Sequence, residues 1–246
     1  MRRFFVRPED VGERELRLRG DEAAHLARVL RLGPGAKVVV FDGCGQEYVA
    51  GVERIETEDV VCRILRDAAL QPSPAVSIAL GQGLPKAEKF EWVIQKTTEL
   101  GVADIVPLLT ERVIPHISQP HLAKKASRWE RLAREACKQS GRATVPHLWS
   151  PTPLETFFAS WQRAELKLVL WEGEDARLLR TVLAASEPVV SVAVVVGPEG
   201  GLTPQEVARG EAYGFLAVGL GKRILRTETA GVVAVALLQY RFGDLG

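Results

Sequence analysis

Residues 191–238 constrain the fold more than any other part of this chain. This stretch contains two short apolar strands, and each strand runs into a turn and then into a helix. The first strand, residues 192–196, consists mostly of valine, which is typical of a strand buried on both faces of a parallel sheet. The second strand is at residues 215–218. Two such units in succession predict an open α/β sheet with a ligand crevice at the turns.

The turn after the first strand holds three glycines and a proline within residues 197–201. Such a turn lets a ligand approach the main chain closely. Residues 203–206 then form a capping-box pattern, with threonine at the N-cap, proline at N1 and glutamate at N3, so we predict a helix start there. Neither turn matches a dinucleotide fingerprint or a P-loop, because the glycine spacing differs and Arg223 stands where a P-loop has Ser or Thr.

Strands and helices alternate from residue 76 to the end of the chain. We predict strands at residues 76–80, 104–108, 146–149, 166–171, 192–196 and 215–218, and helices that start near Lys86, His121, Thr152, Asp175, Thr203 and Thr227. This alternation is typical of a mostly parallel sheet with helices on both sides. The last helix is apolar on all its faces, so it must be buried on both sides. One side would pack on the sheet, and a subunit interface would bury the other.

Residues 1–70 have a different pattern, with many short strands and one helix. Strands are predicted at residues 3–7, 15–19, 37–41, 47–54 and 60–65, and a helix at residues 22–32. Short strands at close spacing are typical of a small barrel. Residues 70–74, with two prolines and a serine, are the best linker candidate. We therefore expect two domains, at residues 1–70 and 75–246.

The composition is that of an ordinary globular protein, with 46% hydrophobic and 26% charged residues. Apolar runs have only strand length, so we expect no membrane-spanning helix, and we expect no secretory signal. Cys44, Cys62 and Cys137 are widely spaced, which argues for a reducing cytoplasm. His116 and His121 have no cysteine nearby, so we expect no metal site.

The net charge of +1 predicts no partner, but cations concentrate in residues 122–142. Seven cations occur there with two glutamates: Lys124, Lys125, Arg128, Arg131, Arg134, Lys138 and Arg142, with Glu130 and Glu135. A basic helix face of this kind can hold phosphates or can simply be solvated. The charge pattern leaves both interpretations open.

Five segments carry a resemblance to a known family. In chain order they are HLARVLRLGPG from residue 25, LPKAEKFEWVIQKTTELGV from residue 84, EACKQSGR from residue 135, GPEGGLTPQE from residue 197 and LGKRILRTETA from residue 220. With these, the chain resembles the RsmE family of 16S rRNA uridine N3-methyltransferases, in the SPOUT superfamily, over nearly its whole length. The resemblance implies an α/β fold with a C-terminal SPOUT-type, mostly parallel sheet containing a deep trefoil knot. It also implies an N-terminal PUA-like RNA-binding β-barrel and a homodimer.

Three turns at one edge of the predicted sheet form the candidate ligand site: residues 171–173, 197–201 and 219–225. Glycines in a single turn can be explained by the backbone geometry of that turn alone. Three adjoining turns of this kind favour a ligand site. By resemblance these turns bind S-adenosylmethionine. The candidate cofactor contacts are Trp171, Glu172, Gly197, Glu199, Gly200, Gly201, Leu220, Arg223, Ile224 and Leu225.

Methylation at N3 of uridine requires the loss of a weakly acidic ring proton, so either a base or a cation must act on the ring. Arg226, Thr227 and Glu228 lie beside the cofactor turn at a helix start and are the candidate catalytic residues. Arg226 would stabilise the developing negative charge. Glu228 would be the base, or would only favour the helix N-terminus, and Glu199 is a second candidate base. No cysteine lies in these turns, so we expect direct transfer without a covalent intermediate.

The partner that the resemblance implies is 16S rRNA, either as free RNA or within the small ribosomal subunit. Candidate RNA contacts are Arg3, Arg7, Arg31, Lys86, Lys89, Arg134, Gln139 and Arg142. The nearest alternative is another SPOUT RNA methyltransferase, acting on a ribose 2′-hydroxyl or another base. The others are a non-catalytic RNA-binding assembly factor and a nicotinamide-dependent oxidoreductase, for which Gly81-Gln82-Gly83 follows a predicted strand.

Overall fold

The computed structural model describes residues 1–67, 70, 74–86, 88–112, 119–173 and 175–246, with the backbone alone at residues 67 and 119–123. The chain forms two compact units. The first is Met1–Ser73 with Arg134–Val145, and the second is Pro74–Ala133 with Pro146–Gly246. The linker expected at residues 70–74 falls mostly outside the described residues, as do His116 and the side chain of His121.

A five-stranded mixed sheet forms the first unit. Its strands are β1 (Arg3–Phe5), β2 (Glu15–Arg19), β3 (Lys37–Phe41), β4 (Glu47–Ile55) and β5 (Asp59–Asp67). They lie in the order β1-β3-β4-β5-β2, with β1 parallel to β3 and the other pairs antiparallel. Leu16 and Leu18 on β2 are buried, because alternate side chains of a strand point to the same face. The small N-terminal β domain predicted from the sequence is confirmed.

The helix of the first unit differs from the one predicted at residues 22–32. Helix α1 (Gly20–Ala24) continues into a π-helical turn, His25–Val29. The wider turn inserts an extra residue into the helical ladder, and the helix ends earlier than predicted. Arg31 follows with a φ of 53°, a left-handed conformation that a residue other than glycine seldom adopts.

A segment distant in sequence completes the first unit. Cys137 and Ala143 are fully buried together with Phe41 of β3. Lys138 Nζ lies 2.7 Å from Glu22 Oε1 and 2.5 Å from Glu135 Oε1. Residues 134–145 thus contribute apolar and charged contacts to a unit from which they are separated by some 60 residues of chain.

An eight-stranded parallel sheet forms the second unit. Its strands are β6 (Ser77–Gly83), β7 (Asp104–Leu109), β8 (His147–Leu148), β9 (Thr152–Pro153), β10 (Leu166–Leu170), β11 (Arg177–Leu178), β12 (Ser191–Val196) and β13 (Leu216–Gly219). Their order is β11-β13-β10-β12-β6-β7-β8, with β9 paired to β7. The predicted mostly parallel sheet is confirmed. The two strands that the prediction lacks, β9 and β11, have two residues each and are too short to show a periodic pattern.

The helices that accompany this sheet in the described part of the chain are α2 (Lys89–Glu99), α3 (Gln119–Ser140), α4 (Leu154–Ser160), α5 (Leu179–Ala185), α6 (Pro204–Ala212) and α7 (Thr227–Phe242). The C-terminal turns of α3, from Arg134, belong to the first unit. At the start of α6 the predicted capping box is present: the Thr203 side chain accepts from Glu206 N, and the Glu206 side chain accepts from Thr203 N. The local sequence therefore determined this helix start.

Helix α7 packs on α2, β6 and β12. Its buried residues include Ala230, Ala234 and Leu238, whereas Leu237 is 39% and Tyr240 71% exposed. The unit itself therefore covers only part of this apolar helix. The trefoil knot that the resemblance implies stays a prediction. Within the residues that the structure describes, no helix combines the length and the hydropathy needed to cross a membrane.

Candidate functional site

Three neighbouring strands of the second unit lead into the three predicted ligand turns. Strands β13, β10 and β12 are adjacent and parallel, with β10 in the middle. Because the carboxyl ends of parallel strands meet at the same edge of a sheet, the turns that follow them adjoin. The sequence predicted the turns, and the strand order is the reason that they meet.

These turns and the start of α7 line a pocket of about 950 Å³. Its lining includes all ten predicted cofactor contacts: Trp171, Glu172, Gly197, Glu199, Gly200, Gly201, Leu220, Arg223, Ile224 and Leu225. Of the predicted catalytic residues, Arg226 and Thr227 line the pocket, and Glu228 is not part of the lining. A cavity of this size can enclose a ligand of several hundred daltons.

One wall of the pocket is apolar and faces solvent. Ile224 is 79% exposed, and Leu220 and Leu225 lie on the same turn. A flat apolar ligand placed against them would remove this surface from water. The Trp171 indole lies directly on Gly173, where a Cβ would overlap the ring. Glycine at position 173 is therefore needed for the position of this indole.

The glycine-rich turn after β12 is held by a hydrogen bond within the turn and by one from outside it. Gly201 has a φ of 69°, and its N–H donates to the Pro198 carbonyl over 2.9 Å. The Arg112 guanidinium donates to the Gly200 carbonyl over 2.7 Å. A Cβ at Gly200 would lie 3.1 Å from the Arg112 Cβ, so a side chain there would press on this arginine. These contacts shape the turn before any ligand binds.

A lysine and two glutamates form a charged cluster beside the pocket. Lys89, the first residue of α2, lines the pocket, and its Nζ lies 3.2 Å from Glu199 Oε1 and 3.5 Å from Glu228 Oε2. Glu228 Oε2 is enclosed and, within the described part of the chain, takes part in no hydrogen bond. The Glu228 carboxylate therefore faces the Lys89 ammonium and not the pocket.

The surroundings of Glu199 keep its carboxyl ionised. Burial alone would raise its pKa, but hydrogen bonds from the backbone N–H groups of Lys86 and of Glu199 itself, together with the Lys89 ammonium, outweigh burial. The pKa of Glu199 therefore lies below its ordinary value of 4.5. A carboxylate held by several donors is a weak base.

None of the three cysteines lines the pocket. Burial raises the pKa of Cys62 to about 12 and that of Cys137 to about 11, so both thiols stay protonated at neutral pH. Cys44, although exposed, is absent from the pocket lining. Among the side chains that the structure describes, no group of three or more His, Cys, Asp and Glu could hold a metal ion.

Six of the eight predicted RNA contacts fall into two groups. Arg7, Arg31, Lys86 and Gln139 are exposed. Arg3 forms an ion pair with Glu47 and donates to the Arg142 carbonyl, and the Arg134 guanidinium lies over the Phe5 ring. Arg142 is half-buried. The structure thus leaves the first group available to a partner and ties Arg3 and Arg134 to the first unit.

Two charged residues of the pocket lining, Lys89 and Arg112, were not predicted to be there. Lys89 was expected to contact RNA, and Arg112 was not singled out. Arg112 comes soon after β7, two strands away from β12, so the strand order would have been needed to find it. For Lys89, the sequence showed a lysine near the start of a helix that follows a strand, but the adjacency of that strand to β12 comes from the strand order.

Comparison with known proteins defines the class to which this fold and pocket belong. Residues 71–239 match the RNA methyltransferase domain family, and residues 18–65 match the PUA domain of RNA methyltransferases. A ribosomal RNA small subunit methyltransferase E from Synechocystis is 35% identical over 238 residues, which cover 95% of this chain and 76% of the relative.

Two solved structures are similar over their full length. A methyltransferase from Legionella pneumophila, in complex with S-adenosylmethionine, has a TM-score of 0.90 and 34% identity, with 99% of this chain and 98% of that chain covered. The ribosomal RNA small subunit methyltransferase E from Neisseria gonorrhoeae, also bound to S-adenosylmethionine, has a TM-score of 0.86 and 32% identity, with both chains fully covered. The present chain belongs to the ribosomal RNA small subunit methyltransferase E family of RNA methyltransferases.

Proposed function

We propose that this chain transfers a methyl group from S-adenosylmethionine to N3 of a uridine in 16S rRNA. The observation that carries the proposal is the pocket at the end of β10, β12 and β13, where an exposed isoleucine and an exposed arginine, Ile224 and Arg226, lie on one turn. The isoleucine suits the flat base of a cofactor, and the arginine suits a negative charge that develops on the target base.

The residues of the pocket fit this cofactor. Leu220, Ile224 and Leu225 offer an apolar wall for the adenine ring, and the glycines of residues 197–201 let its polar edges meet the main chain. When bound, S-adenosylmethionine supplies an electrophilic methyl group on a positively charged sulfur. The carboxylates of Glu172 and Glu199, both in the lining, suit that charge.

We assign stabilisation of the uracil anion to the cations of the pocket. Arg226 is exposed there, and Lys89 is held by Glu199 and Glu228. Ring carbonyls beside N3 would accept hydrogen bonds from these cations, which favours loss of the N3 proton to water. Of the two predicted bases, Glu228 holds Lys89 and Glu199 holds the turn, so each acts through the geometry of the pocket.

The first unit supplies RNA contacts in this proposal. Its exposed arginines, Arg7 and Arg31, and exposed Gln139 are suited to phosphates and base edges. The substrate is 16S rRNA within the small ribosomal subunit, in the cytoplasm. The target uridine leaves its stack to enter the pocket, because N3 lies on the edge that base pairing covers.

The test uses purified protein, S-adenosylmethionine with a labelled methyl group, and small subunits or 16S rRNA from a strain that lacks the gene. We expect label in the RNA, and nucleoside mass spectrometry should identify it as 3-methyluridine. A 2′-O-methylated nucleoside would instead support the nearest alternative. Binding of RNA without any label would support an assembly factor and overturn the proposal.

We also propose that a second copy of this chain covers the open side of α7. Leu237 and Tyr240 are exposed there, and burial of such side chains is the usual driving force for obligate dimers. Light scattering at micromolar concentration should give twice the chain mass of 27.0 kDa, and Tyr240→Lys should shift the species towards a monomer. A monomeric wild-type protein would contradict this proposal.

A further inference from the structure

Gln82 is a polar side chain in the middle of the parallel sheet, near the carboxyl end of β6. It is fully buried, and a buried amide is costly unless its polar atoms are hydrogen-bonded. Its Nε2 lies 2.7 Å from Thr227 Oγ1 at the start of α7. Its Oε1 is buried and, within the described residues, accepts no hydrogen bond. A buried carbonyl oxygen without a hydrogen-bond partner in a central strand calls for a functional or structural explanation.

Hydrogen-bond chemistry fixes the direction of this contact. The Thr227 hydroxyl also contacts the Gly197 carbonyl, which can only accept, so the hydroxyl donates to it. The Thr227 oxygen must therefore accept from Gln82, and Gln82 must present its NH₂ group. The result is a relay in which Gln82 donates to Thr227 and Thr227 donates to Gly197. We call these three residues the Gln82 relay.

Close packing allows the relay to join three separate segments. A Cβ at Gly83 would overlap the Pro198 backbone nitrogen, and a Cβ at Gly231 would lie 2.5 Å from Gln82 Oε1. Glycine at these positions lets the turn after β12 and the first turns of α7 approach β6. Strand, turn and helix are thereby held at a fixed separation.

The relay ends beside the exposed arginine of the pocket. Arg226 is the N-cap of α7, and its carbonyl accepts from Ala230 N over 2.8 Å. The next residue, Thr227, is 7% exposed. Within the relay, its hydroxyl donates one hydrogen bond and accepts another. A hydroxyl in this state has no proton to give to a substrate, although Thr227 lines the pocket.

We propose that Gln82 is a positioning residue for methyl transfer, which acts through Thr227 to hold Arg226 at a fixed distance from the cofactor turn. This inference rests on the proposed function, since it concerns the geometry of that reaction. Thr227 belongs to the same relay and is not a catalytic residue. The relay aligns two parts of the pocket that come from different crossover connections, and misalignment of about 1 Å can cost about 100-fold in rate.

The decisive variants nearly keep the side-chain volume: Gln82→Met removes the donor to Thr227, and Thr227→Val removes both hydrogen bonds of the Thr227 hydroxyl. Gln82→Met and Thr227→Val should each lower kcat about 10-fold to 100-fold, with the Kd for S-adenosylmethionine changed by less than about 3-fold. The double variant should be no slower than the slower single variant, because the relay acts as a unit. Thr227→Ser restores the hydroxyl and should recover most of the loss seen with Thr227→Val.

A matched control comes from the other end of α7. Gln239 is also buried, at 2% exposure, and its Nε2 donates to the Gly101 carbonyl, but it is absent from the pocket lining. Gln239→Met should lower the melting temperature as Gln82→Met does and leave kcat unchanged below that temperature. If Gln82→Met behaves in the same way, Gln82 is only structural and the proposal is overturned.

Hydrogen exchange without cofactor or RNA gives a second readout. The amides in the first turn of α7, Ala230 among them, should exchange at least about 10-fold faster in Gln82→Met and in Thr227→Val than in Gln239→Met. A loss of kcat in Thr227→Val but not in Gln82→Met would show that Thr227 acts directly on the substrate, which overturns the relay. If wild-type protein methylates no RNA, the proposed function fails, and the exchange rates still decide whether the relay holds the helix.

Discussion

The cations of the two units have different surroundings. In the first unit, Arg3, Arg134 and Lys138 contact carboxylates, a carbonyl and an aromatic ring of the same unit. In the turn before α7, Lys222, Arg223 and Arg226 are exposed and form no ion pair within the described part of the chain. A cation with an internal partner contributes to stability, whereas one without such a partner is available to a ligand.

Lys89 lies between these two situations. It lines the pocket like the exposed cations, and it has carboxylate partners like the cations of the first unit. Its side chain is 35% exposed. The exposure of a cation and its partners must therefore be considered together, because the residue type alone predicts neither role.

The largest expected effect comes from Arg226→Ala. Loss of the guanidinium should lower kcat by about 100-fold or more, because it removes charge stabilisation at the reacting base. The melting temperature and the Kd for the cofactor should stay close to wild type. Single-turnover methylation and calorimetric titration measure the two quantities, and Arg163→Ala, at an exposed position absent from the pocket lining, is the control. Normal turnover in Arg226→Ala would end its assignment to the chemistry.

For Lys138→Met we expect the opposite pattern, a loss of stability without a loss of cofactor affinity. Removing this ammonium leaves Glu22 and Glu135 without their partner and should destabilise the first unit by about 2–3 kcal/mol. Cofactor affinity should stay unchanged. Burial alone would lower the pKa of Lys138, but hydrogen bonds to Glu135 and Glu22 outweigh it and raise the pKa. The stabilisation is therefore complete at neutral pH and is lost only as the pH rises through that raised value.

Lys125→Met on the same helix is the matched control, since Lys125 is exposed and should contribute less than about 0.5 kcal/mol. Scanning calorimetry measures both variants. If both substitutions lowered the stability equally, cations with and without partners in the protein would not differ in their contribution on this helix.

A smaller effect is expected for Glu199→Gln. Loss of the charged partner of Lys89 should weaken cofactor binding about 3-fold to 10-fold at pH 7. The folded pKa of Glu199 lies below 4.5, so its contribution is complete above that pH and is lost as the pH falls through the folded value. The affinity ratio between wild type and variant should thus stay constant from about pH 5.5 to 8 and approach one in more acidic buffer. A ratio that changes near neutral pH would mean that Glu199 titrates during turnover.

The smallest effect is expected for Arg31→Gly. Arg31 has a φ of 53° and is exposed, so glycine should relieve backbone strain and raise stability by up to about 1 kcal/mol. RNA affinity should fall only about 2-fold to 3-fold, with a smaller dependence on salt, because one phosphate contact is lost. Unchanged affinity at low and high salt would show that Arg31 only ends the helix.

Local features of the sequence were reliable predictors of the second unit. The valine-rich strand β12, the capping box at Thr203 and the glycines after β12 were all predicted, because each depends on residues a few positions apart. In the first unit the same reasoning missed the π-helical turn His25–Val29, since a turn of five residues is too short to show a period of its own in the sequence.

Local sequence was enough to predict which turns line the pocket, because backbone geometry at glycine and the lengths of apolar runs are local properties. Tertiary structure alone decided that Arg112 holds the Gly200 carbonyl, that Glu228 faces Lys89, and that Gln82 reaches Thr227, 145 positions away. The physical reason is that a side chain's partner depends on which strands are neighbours in the sheet. That order results from the packing of the whole unit, and no short segment of the chain contains it.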